Sequence, residues 1–285
     1  MKTQSIRISN KFDPNADLVI FHGDCRELMK EIPKKFVTLI VTSPPYNLGK
    51  EYEKKVDIEE YLKWHKDIIV QCNKLVRDEG SVCWQIGNYV NNSEIYPLDT
   101  LLYPIFRDVG LKLRNRIIWF FRHGLHCSRR FSGRYETMLW FTKSDNYIFN
   151  LDTVRVPQLY PNKKYYKGVK KGQVSSNSKG KNPGDVWEDI TLDVPYDAWD
   201  ISNVHANMPE KTPHPAQYPE ALIERIILAT TNKGDWVFDP FLGSGTTAVV
   251  ALKFGRRVIG AEIVKKYINF TFERINKLIS QKELF

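Results

Sequence analysis

The sequence predicts an α/β protein built around a parallel sheet. Apolar runs of strand length alternate with runs of helical periodicity at both ends of the chain, which is the pattern that helical crossovers between parallel strands produce. Near the C terminus, the stretch VFDPFLGSGTT leads from a strand-like run through a glycine turn into a helical run. A length of 285 residues accommodates one large domain, or a core domain with a modest insert.

The composition is that of a folded, basic protein. Hydrophobic residues make up 42% of the chain and aromatic residues 13%, which is ample for a core. The formal net charge of +9 indicates a polyanionic partner. The cysteines are scattered without a C-x-x-C pair, no apolar run has membrane-spanning length, and the first residues lack the apolar core of a signal peptide. We therefore expect a reduced, intracellular protein with no metal and no membrane partner.

Residues 1–150 contain the first series of predicted elements. The runs VIFHGDC, FVTLIVTSPPY and SVCWQIG have the composition of strands. DIEEYLKWHKDIIVQCNKLVRDEG has apolar residues at helical spacing and predicts a helix that ends at Gly80. A second helix is predicted in PLDTLLYPIFRDVG, in spite of Pro104. RNRIIWFF and RYETMLWFTK predict a pair of strands, joined by the basic loop RHGLHCSRRFSG.

Residues 151–212 differ in composition and predict a basic, loop-rich insert. Between Thr153 and Gly184 there is no acidic residue, although this stretch holds seven lysines, an arginine and several tyrosines. Glycine, serine, asparagine and proline are frequent, which favours loops over a packed core. A flexible linker would have this composition as well. The excess of lysine favours contact with nucleic-acid phosphates.

Residues 213–285 return to the alternation of helix and strand. PEALIERIILATT predicts a helix with proline near its first turn. The following DWVFDPFLGSGTTAVVALKFGRRVIGAEI predicts a strand, a glycine turn, a helix and a second strand. The tail KKYINFTFERINKLISQKELF has apolar residues at helical spacing and predicts a packing helix.

The glycine turn and the acid beyond it predict a cofactor site. Glu262 ends the next strand about 20 residues after the turn, as in dinucleotide-binding units, where a carboxylate accepts hydrogen bonds from ribose hydroxyls. A plain strand-to-helix turn would also explain the glycines. There is no Gly-Lys-Ser/Thr, and Thr246-Thr247 follow Gly245 where a third glycine would stand. A turn led by Asp239 suits a ligand with positive charge, such as S-adenosylmethionine.

The stretch Ser43-Pro44-Pro45-Tyr46 at the end of a predicted strand suggests a binding site for an amino group. Proline lacks a donor, but its carbonyl accepts and the fixed φ holds that carbonyl rigidly. Beside the serine hydroxyl it makes a pair of acceptors for the hydrogens of an exocyclic amine, at the sheet edge where ligands bind. Tyr46 would stack on a base that has left the duplex. The alternative is a simple rigid turn.

Together, TSPPY and DPFLGSGTT resemble the catalytic and cofactor motifs of the amino-methylating DNA methyltransferases. Their order, with a basic insert between them, is similar to the circularly permuted β group of that family, and the resemblance covers nearly the whole chain. It implies a Rossmann-like S-adenosyl-L-methionine-dependent sheet, with residues 1–150 as the catalytic half, 151–212 as the target-recognition insert and 213–285 as the cofactor-binding half.

The resemblance assigns roles to individual residues. The catalytic residues that it implies are Ser43, Pro44, Pro45 and Tyr46. The cofactor-binding residues that it implies are Asp24, Asp239, Phe241, Gly243, Gly245, Thr246, Glu262, Lys211 and His214. Residues expected to contact DNA, from the basic loop and the insert, are Arg122, His123, Arg129, Arg130, Lys163, Lys164 and Lys167.

The implied reaction is direct transfer of a methyl group to the amine of a flipped base, without a covalent enzyme intermediate or a cysteine nucleophile. Serine in the first motif position is more typical of cytosine-N4 enzymes, and adenine N6 is the alternative target. Other hypotheses are a nicotinamide oxidoreductase, an RNA or protein-amide methyltransferase, and an inactive DNA-binding module. We expect double-stranded DNA as the partner, in a prokaryotic cytoplasm. A cognate restriction endonuclease that acts separately is a further expected partner, and a second copy of the chain, in a homodimer, is another.

Overall fold

The fold is taken from a computed structural model of the chain. It describes residues 6–122, 124, 126–158, 160–187, 201, 204 and 208–282, with the backbone alone at 281 and 282. Within these residues, nine strands form one sheet, in the order β1-β2-β11-β10-β3-β4-β8-β7-β9. These strands are β1 (Ile8–Ser9), β2 (Leu18–His22), β3 (Val37–Thr42), β4 (Val76–Ile86), β7 (Lys112–Phe120), β8 (Tyr135–Thr142), β9 (Val186–Trp187), β10 (Trp236–Asp239) and β11 (Arg257–Glu262).

The sheet is parallel from β1 to β4, and β8 runs antiparallel to both of its neighbours. Helices cover both faces, because the side chains of each strand alternate between two separate hydrophobic clusters. The helices are α1 (Cys25–Glu31), α2 (Ile58–Leu75), α3 (Leu98–Asp108), α4 (Glu220–Thr230), α5 (Thr246–Lys253) and α6 (Lys265–Lys282). Helices α1, α2 and α3 pack on one face, and α4, α5 and α6 pack on the other.

Most predicted elements are confirmed, and the predicted α/β class with them. The prediction that the helix in DIEEYLKWHKDIIVQCNKLVRDEG continues to Gly80 is wrong, since α2 ends at Leu75 and β4 begins at the next residue. Val76 pairs with Val37 on β3, and this pairing draws residues 76–80 into the sheet. Backbone hydrogen bonding across strands has here overridden a helical pattern in the sequence.

A small hairpin of β5 (Asn88–Asn91) and β6 (Glu94–Pro97) was not predicted, and its strands form a separate antiparallel pair. Its turn residues, Asn92 and Ser93, have φ of 48° and 68°. Positive φ at both turn positions matches the twist of tight hairpins, and asparagine tolerates it better than most residues. The Asn-Asn-Ser stretch was therefore the sequence signal for this hairpin.

The described part of the insert is loop-rich, as predicted. It contains a short 3-10 helix (Leu151–Thr153) and isolated antiparallel bridges that pair Val156 with Lys181 and Lys164 with Val174. It also reaches the sheet, because β9 pairs with β7 and buries Trp187. The boundaries at residues 151 and 212 stay a prediction.

Candidate active site

The two motifs singled out in the sequence line one cavity of about 630 Å³. Strands β3 and β10 are parallel neighbours, so the residues that follow each strand emerge at the same edge of the sheet. Ser43-Pro44-Pro45-Tyr46 follows β3, and the glycine turn follows β10. The cavity therefore lies at the carboxyl ends of the parallel strands, where open α/β sheets bind ligands.

The Ser-Pro-Pro segment is held from behind by the protein. The Tyr61 hydroxyl donates to the Pro45 carbonyl over 2.8 Å, whereas no hydrogen bond to the Pro44 carbonyl occurs within the described residues. After the motif, Asn47 has φ of 63°, and its side-chain amide exchanges two hydrogen bonds of 2.8 Å with the backbone of Val56. Ser43, which is half-buried, and Pro44 both line the cavity, and the residues around them hold the motif in place.

The Tyr46 hydroxyl is the centre of a polar network. It lies 3.2 Å from Ser43 Oγ, 2.9 Å from Gln85 Oε1 and 3.2 Å from Glu136 Oε2. Gln85 Nε2 donates in turn to the same Glu136 oxygen. Burial raises the pKa of Tyr46 well above its ordinary value, so the hydroxyl keeps its proton.

Asp239 is fully enclosed and joins the two motifs. Its Oδ1 accepts from the Thr42 hydroxyl at 2.6 Å and from the Phe241 amide at 3.1 Å. Its Oδ2 accepts from the Thr247 hydroxyl at 2.6 Å and from the Tyr218 hydroxyl at 3.0 Å. The carboxylate lies behind the cavity wall, where it ties the end of β3 to the start of α5. Phe241, which it positions, lines the cavity.

The glycine turn presents a second carboxylate. Gly243 and Gly245 have φ of 55° and 78°, and a Cβ at Gly245 would lie 2.5 Å from Thr271. Only glycine fits this turn. The Gly243 amide donates to one oxygen of Glu262 and the Val264 amide to the other, each over 2.8 Å. Burial raises the pKa of Glu262, and the residue lines the cavity.

His214 lines the cavity as an uncharged ring. The Ala216 amide donates to its Nδ1 at 3.2 Å, and the ring packs against Tyr267 at 4.2 Å between centroids and parallel to Tyr52 at 5.9 Å. Burial lowers the pKa of His214 to about 4, so the imidazole is neutral near neutral pH and does not repel a cationic ligand. Lys211 lies behind it, with Nζ 3.5 Å from the His214 carbonyl.

The other predicted cofactor residues occupy the two helix N-termini at this edge. Asp24 lines the cavity and caps α1 by accepting from the Arg26 amide at 2.8 Å. The Arg26 guanidinium also binds this carboxylate and lowers its pKa. Thr246 begins α5, and its hydroxyl accepts from Arg274 at 2.9 Å. Six of the predicted cofactor residues therefore line one cavity: Asp24, His214, Phe241, Gly243, Thr246 and Glu262. Asp239, Lys211 and Gly245 lie behind this lining, where Gly245 packs against Thr271.

The predicted DNA-contacting residues lie outside the cavity. Arg122, Arg129 and Arg130 are exposed on the loop between β7 and β8, and His123 lies outside the described residues. This loop stands at the carboxyl edge of the parallel strands, because the start of β8 pairs with the end of β4. The predicted insert residues Lys163, Lys164 and Lys167 are exposed as well.

Comparison with known proteins decides the family. A family model described as DNA methylase matches residues 37–273. The chain belongs to the DNA methylase family. The Type II methyltransferase M.BglII of Bacillus subtilis is 49% identical to this methylase over 255 residues, which covers 89% of the chain and 68% of that protein. The DNA adenine methyltransferase YhdJ of Escherichia coli K12 is 32% identical over 268 residues, covering 92% and 84%.

Solved structures share the fold of this methylase. The cytosine-N4-specific PvuII DNA methyltransferase superposes with a TM-score of 0.68 at 22% identity, covering 97% of this chain and 93% of that one. TTHA0409 of Thermus thermophilus, in a complex with S-adenosyl-L-methionine, has a TM-score of 0.61 at 23% identity, covering 91% and 95%. The predicted Rossmann-like methyltransferase sheet and the resemblance to amino-methylating DNA methyltransferases are confirmed.

Several residues of the site were not predicted from the sequence. Gln85 and Glu136 contact the Tyr46 hydroxyl, Trp64 lines the cavity and packs on Phe241 at 5.4 Å, and Tyr218 binds Asp239. A signal existed for Gln85 and Glu136, since each is a strongly polar residue close to an apolar run of its strand, VCW for Gln85 and MLWF for Glu136. Which residue such a side chain would meet depends on the pairing of β4 with β8, and the sequence does not contain that register.

The cysteine in the cavity lining, Cys25, is poorly suited to covalent catalysis. Cys25 lines the cavity, but burial raises the pKa of its thiol to about 12, so the reactive thiolate is disfavoured.

Among the described residues, no group of three or more His, Cys, Asp or Glu side chains is arranged to hold a metal ion. The described part of the chain also contains no helix long and apolar enough to cross a membrane.

Proposed function

We propose that this methylase transfers a methyl group from S-adenosyl-L-methionine to the exocyclic amine of a base flipped out of double-stranded DNA, with cytosine N4 as the target. The observation that carries the proposal is the shared cavity. Ser43, the Pro44 carbonyl and Tyr46 form one wall, and the Gly243 turn and Glu262 form another, so amine acceptors and a cofactor pocket face each other.

The residues present fit S-adenosyl-L-methionine. The cavity of about 630 Å³ is of the size that holds ligands of cofactor dimensions. Glu262 and Asp24 would hold the ribose and the adenine end, and Phe241 and the Gly243 turn would hold the methionine part. His214 is uncharged there, which suits a cation. When bound, this cofactor supplies a methyl group on a sulfonium leaving group that a nitrogen can displace directly.

The protein's own contribution is positioning and electrostatic stabilisation. Ser43 Oγ and the Pro44 carbonyl would accept the two hydrogens of the amine and hold its nitrogen lone pair out of the ring plane. The amine becomes positive as it takes up the methyl group, and two fixed oxygen dipoles stabilise that charge without reorganising. Tyr46 would provide the face on which the flipped base stacks.

Ser43 favours cytosine N4, because serine in this motif position is more typical of cytosine-N4 enzymes. One specific observation favours adenine N6 as the second candidate. YhdJ, a DNA adenine methyltransferase by name, is 32% identical to this chain over most of its length. Both bases offer an exocyclic amine to the same acceptors, so the reaction would be the same for either.

DNA binding would use the loop between β7 and β8 together with the insert. Arg129 and Arg130 lie at the edge of the sheet that holds the cavity, where they can contact phosphates on either side of a flipped base. Relatives named Type II methyltransferases support a place in a restriction-modification system, with an endonuclease acting separately.

The test is methylation of DNA that carries no methyl groups, such as enzymatically amplified bacterial genomic DNA, with tritiated S-adenosyl-L-methionine. Digestion to nucleosides and mass spectrometry identify the product, and base-resolved modification sequencing gives the site. We expect N4-methyldeoxycytidine in one short sequence context. N6-methyldeoxyadenosine would support the second candidate, and no transfer to DNA would contradict the proposal.

A further inference from the structure

A partly buried carboxylate, Glu136, lies behind Tyr46 and has no role in the reaction as described so far. It is the second residue of β8 and lines the cavity. Its Oε2 receives Gln85 Nε2 and lies 3.2 Å from the Tyr46 hydroxyl. Gln85 is itself 1% exposed, so its amide has little water to turn to. A carboxylate in such a place is costly unless its charge is used.

The direction of each hydrogen bond follows from the donors available. The Gln85 carbonyl oxygen and an ionised Glu136 are acceptors only, and both face the Tyr46 hydroxyl. Tyr46 has one proton, which must point at one of these two oxygens. It has none left for Ser43, so the contact of 3.2 Å between the two hydroxyls requires Ser43 to donate. Both lone pairs of Ser43 Oγ then remain free to accept from a substrate amine.

We propose that Glu136 is the terminal proton acceptor of a hydrogen-bond chain that runs from Ser43 through Tyr46, and that it sets the direction of that chain. Glu136 acts through Tyr46 and is thus a positioning residue for the amine acceptor. The inference rests on the proposed function, since it assumes that a base amine binds at Ser43.

The proton balance is complete. Formation of the new N–C bond leaves the nitrogen positive and with one proton too many. That proton passes to Ser43 Oγ, the Ser43 proton passes to the Tyr46 oxygen, and the Tyr46 proton passes to Glu136 Oε2. Ser43 and Tyr46 each gain and lose one proton, the amine ends neutral, and Glu136 ends as a carboxylic acid. Because Glu136 lines the cavity, it can return the proton to water after the product leaves.

The environment of Glu136 fits this role. Burial raises its pKa above the ordinary glutamate value, which makes the carboxylate a better proton acceptor. Only the ionised form can accept, so the rate should fall as the pH drops through this raised pKa. A neutral amide in its place can accept the Tyr46 hydrogen bond but cannot take the proton.

The decisive experiment compares single-turnover methylation rates of the wild type, Glu136→Gln, Tyr46→Phe and the double variant between about pH 5 and pH 9. The substrates are amplified genomic DNA and tritiated S-adenosyl-L-methionine. We expect Glu136→Gln to be roughly 100-fold slower and to lack the decline of rate at acid pH that the wild type shows. The double variant should be no slower than the slower single variant, because both changes break one chain.

Two further variants separate this role from a structural one. Glu94→Gln is the matched control, since Glu94 also accepts from a tyrosine hydroxyl, that of Tyr96 at 3.2 Å, on the exposed β5–β6 hairpin. It should keep the wild-type rate and pH profile. Glu136→Asp keeps the charge and should retain the acid decline. Cofactor affinity, measured by calorimetry, should stay within about twofold of the wild type in every variant, because no change touches the cofactor walls.

An unchanged rate or an unchanged acid decline in Glu136→Gln overturns the inference, and so does a double variant whose loss is the product of the single losses. If Glu136→Gln lowers the unfolding temperature of the protein, Glu136→Asp becomes the deciding variant. Loss of the acid decline of the rate in Glu136→Asp then also overturns the inference. Wild-type protein that transfers no methyl group to DNA contradicts the proposed function itself, and the inference falls with it. If the wild type methylates DNA and the Glu136 variants have the same rate and pH profile, the inference alone is contradicted.

Discussion

At Gly87 the absence of a side chain lets two cavity residues, Tyr46 and Glu136, approach each other. The residue follows β4, and a Cβ built on it would lie 2.9 Å from Tyr46 Cε2 and 3.2 Å from Glu136 Oε1. Tyr46 cannot retreat freely, because its hydroxyl is held by Gln85. The glycine is thus required for contact between the base-stacking ring and the carboxylate behind it.

Gly87→Ala should therefore lower the single-turnover methylation rate by at least about tenfold, because a displaced reactive group of this kind costs more than about 1.4 kcal/mol of transition-state stabilisation. Cofactor affinity should not change, since the cofactor walls lie on other strands. Single-turnover methylation and titration calorimetry measure the two quantities on one preparation. Wild-type turnover in the alanine variant would show that the approach of Tyr46 and Glu136 has no role in the reaction.

Glu262→Gln tests the cofactor wall at the same scale. The carboxylate accepts one backbone amide on each oxygen, and glutamine turns one acceptor into a donor that faces an N–H group. We expect S-adenosyl-L-methionine to bind at least about tenfold more weakly, because a hydrogen bond to a charged group contributes about 1.5–3 kcal/mol. Titration calorimetry measures this affinity for S-adenosyl-L-methionine. Glu224→Gln, which removes a carboxylate from the outer surface of α4, should bind the cofactor as the wild type does.

At the scale of elements, the sequence predicted what local chemistry determines. The strands at both ends of the chain, the glycine turn and the carboxylate at the end of β11 are each marked by residues only a few positions apart in the sequence. The boundary between α2 and β4 was not predictable in this way, because residues 76–80 join the sheet through a partner on β3. The same reason explains why Ser43, Pro44 and Tyr46 were identified and Glu136 was not. The role of Glu136 depends on the register of β8 against β4.

The loop between β7 and β8 should govern DNA affinity without governing the cofactor site. Arg129→Ala with Arg130→Ala should weaken DNA binding and reduce the slope of log affinity against log salt by about 1 for each phosphate that is no longer bound. Fluorescence anisotropy with labelled duplex DNA over a series of salt concentrations measures both. Lys30→Ala with Lys34→Ala is the matched control. These exposed lysines lie at the far end of α1, away from the cavity. An equal loss in both variants would mean that binding follows net charge alone.

At the scale of the whole molecule, the two motifs meet because β10 is inserted between β3 and β11. Residues far apart in the chain become neighbours at one sheet edge, and Asp239 joins them through Thr42 on one side and Thr247 on the other. Both walls of the cavity are consequently anchored to the same buried carboxylate. The catalytic and cofactor halves proposed from the motif order share one sheet and one site.

The buried histidines should make the whole fold sensitive to acid. Burial lowers the pKa of His65 to about 3, and that of His214 to about 4. His65 donates from Nδ1 to the Tyr61 carbonyl at 3.1 Å, and its Nε2 has no hydrogen-bond partner among the described residues. In the unfolded chain the pKa of histidine is about 6.5. Below that pH the unfolded chain therefore binds protons that the folded chain does not.

The stabilisation from each neutral histidine is thus present above about pH 6.5 and is lost as the pH falls, at up to about 1.4 kcal/mol per pH unit for each ring. His65→Phe keeps an aromatic ring against Trp84 and removes one of the two contributions. Urea unfolding at a series of pH values between about 7 and 5 should give a shallower decline of the unfolding free energy for this variant than for the wild type. His22→Gln changes an exposed histidine and should reproduce the wild-type decline. Identical declines in His65→Phe and the wild type would show that this ring is not a source of the acid sensitivity.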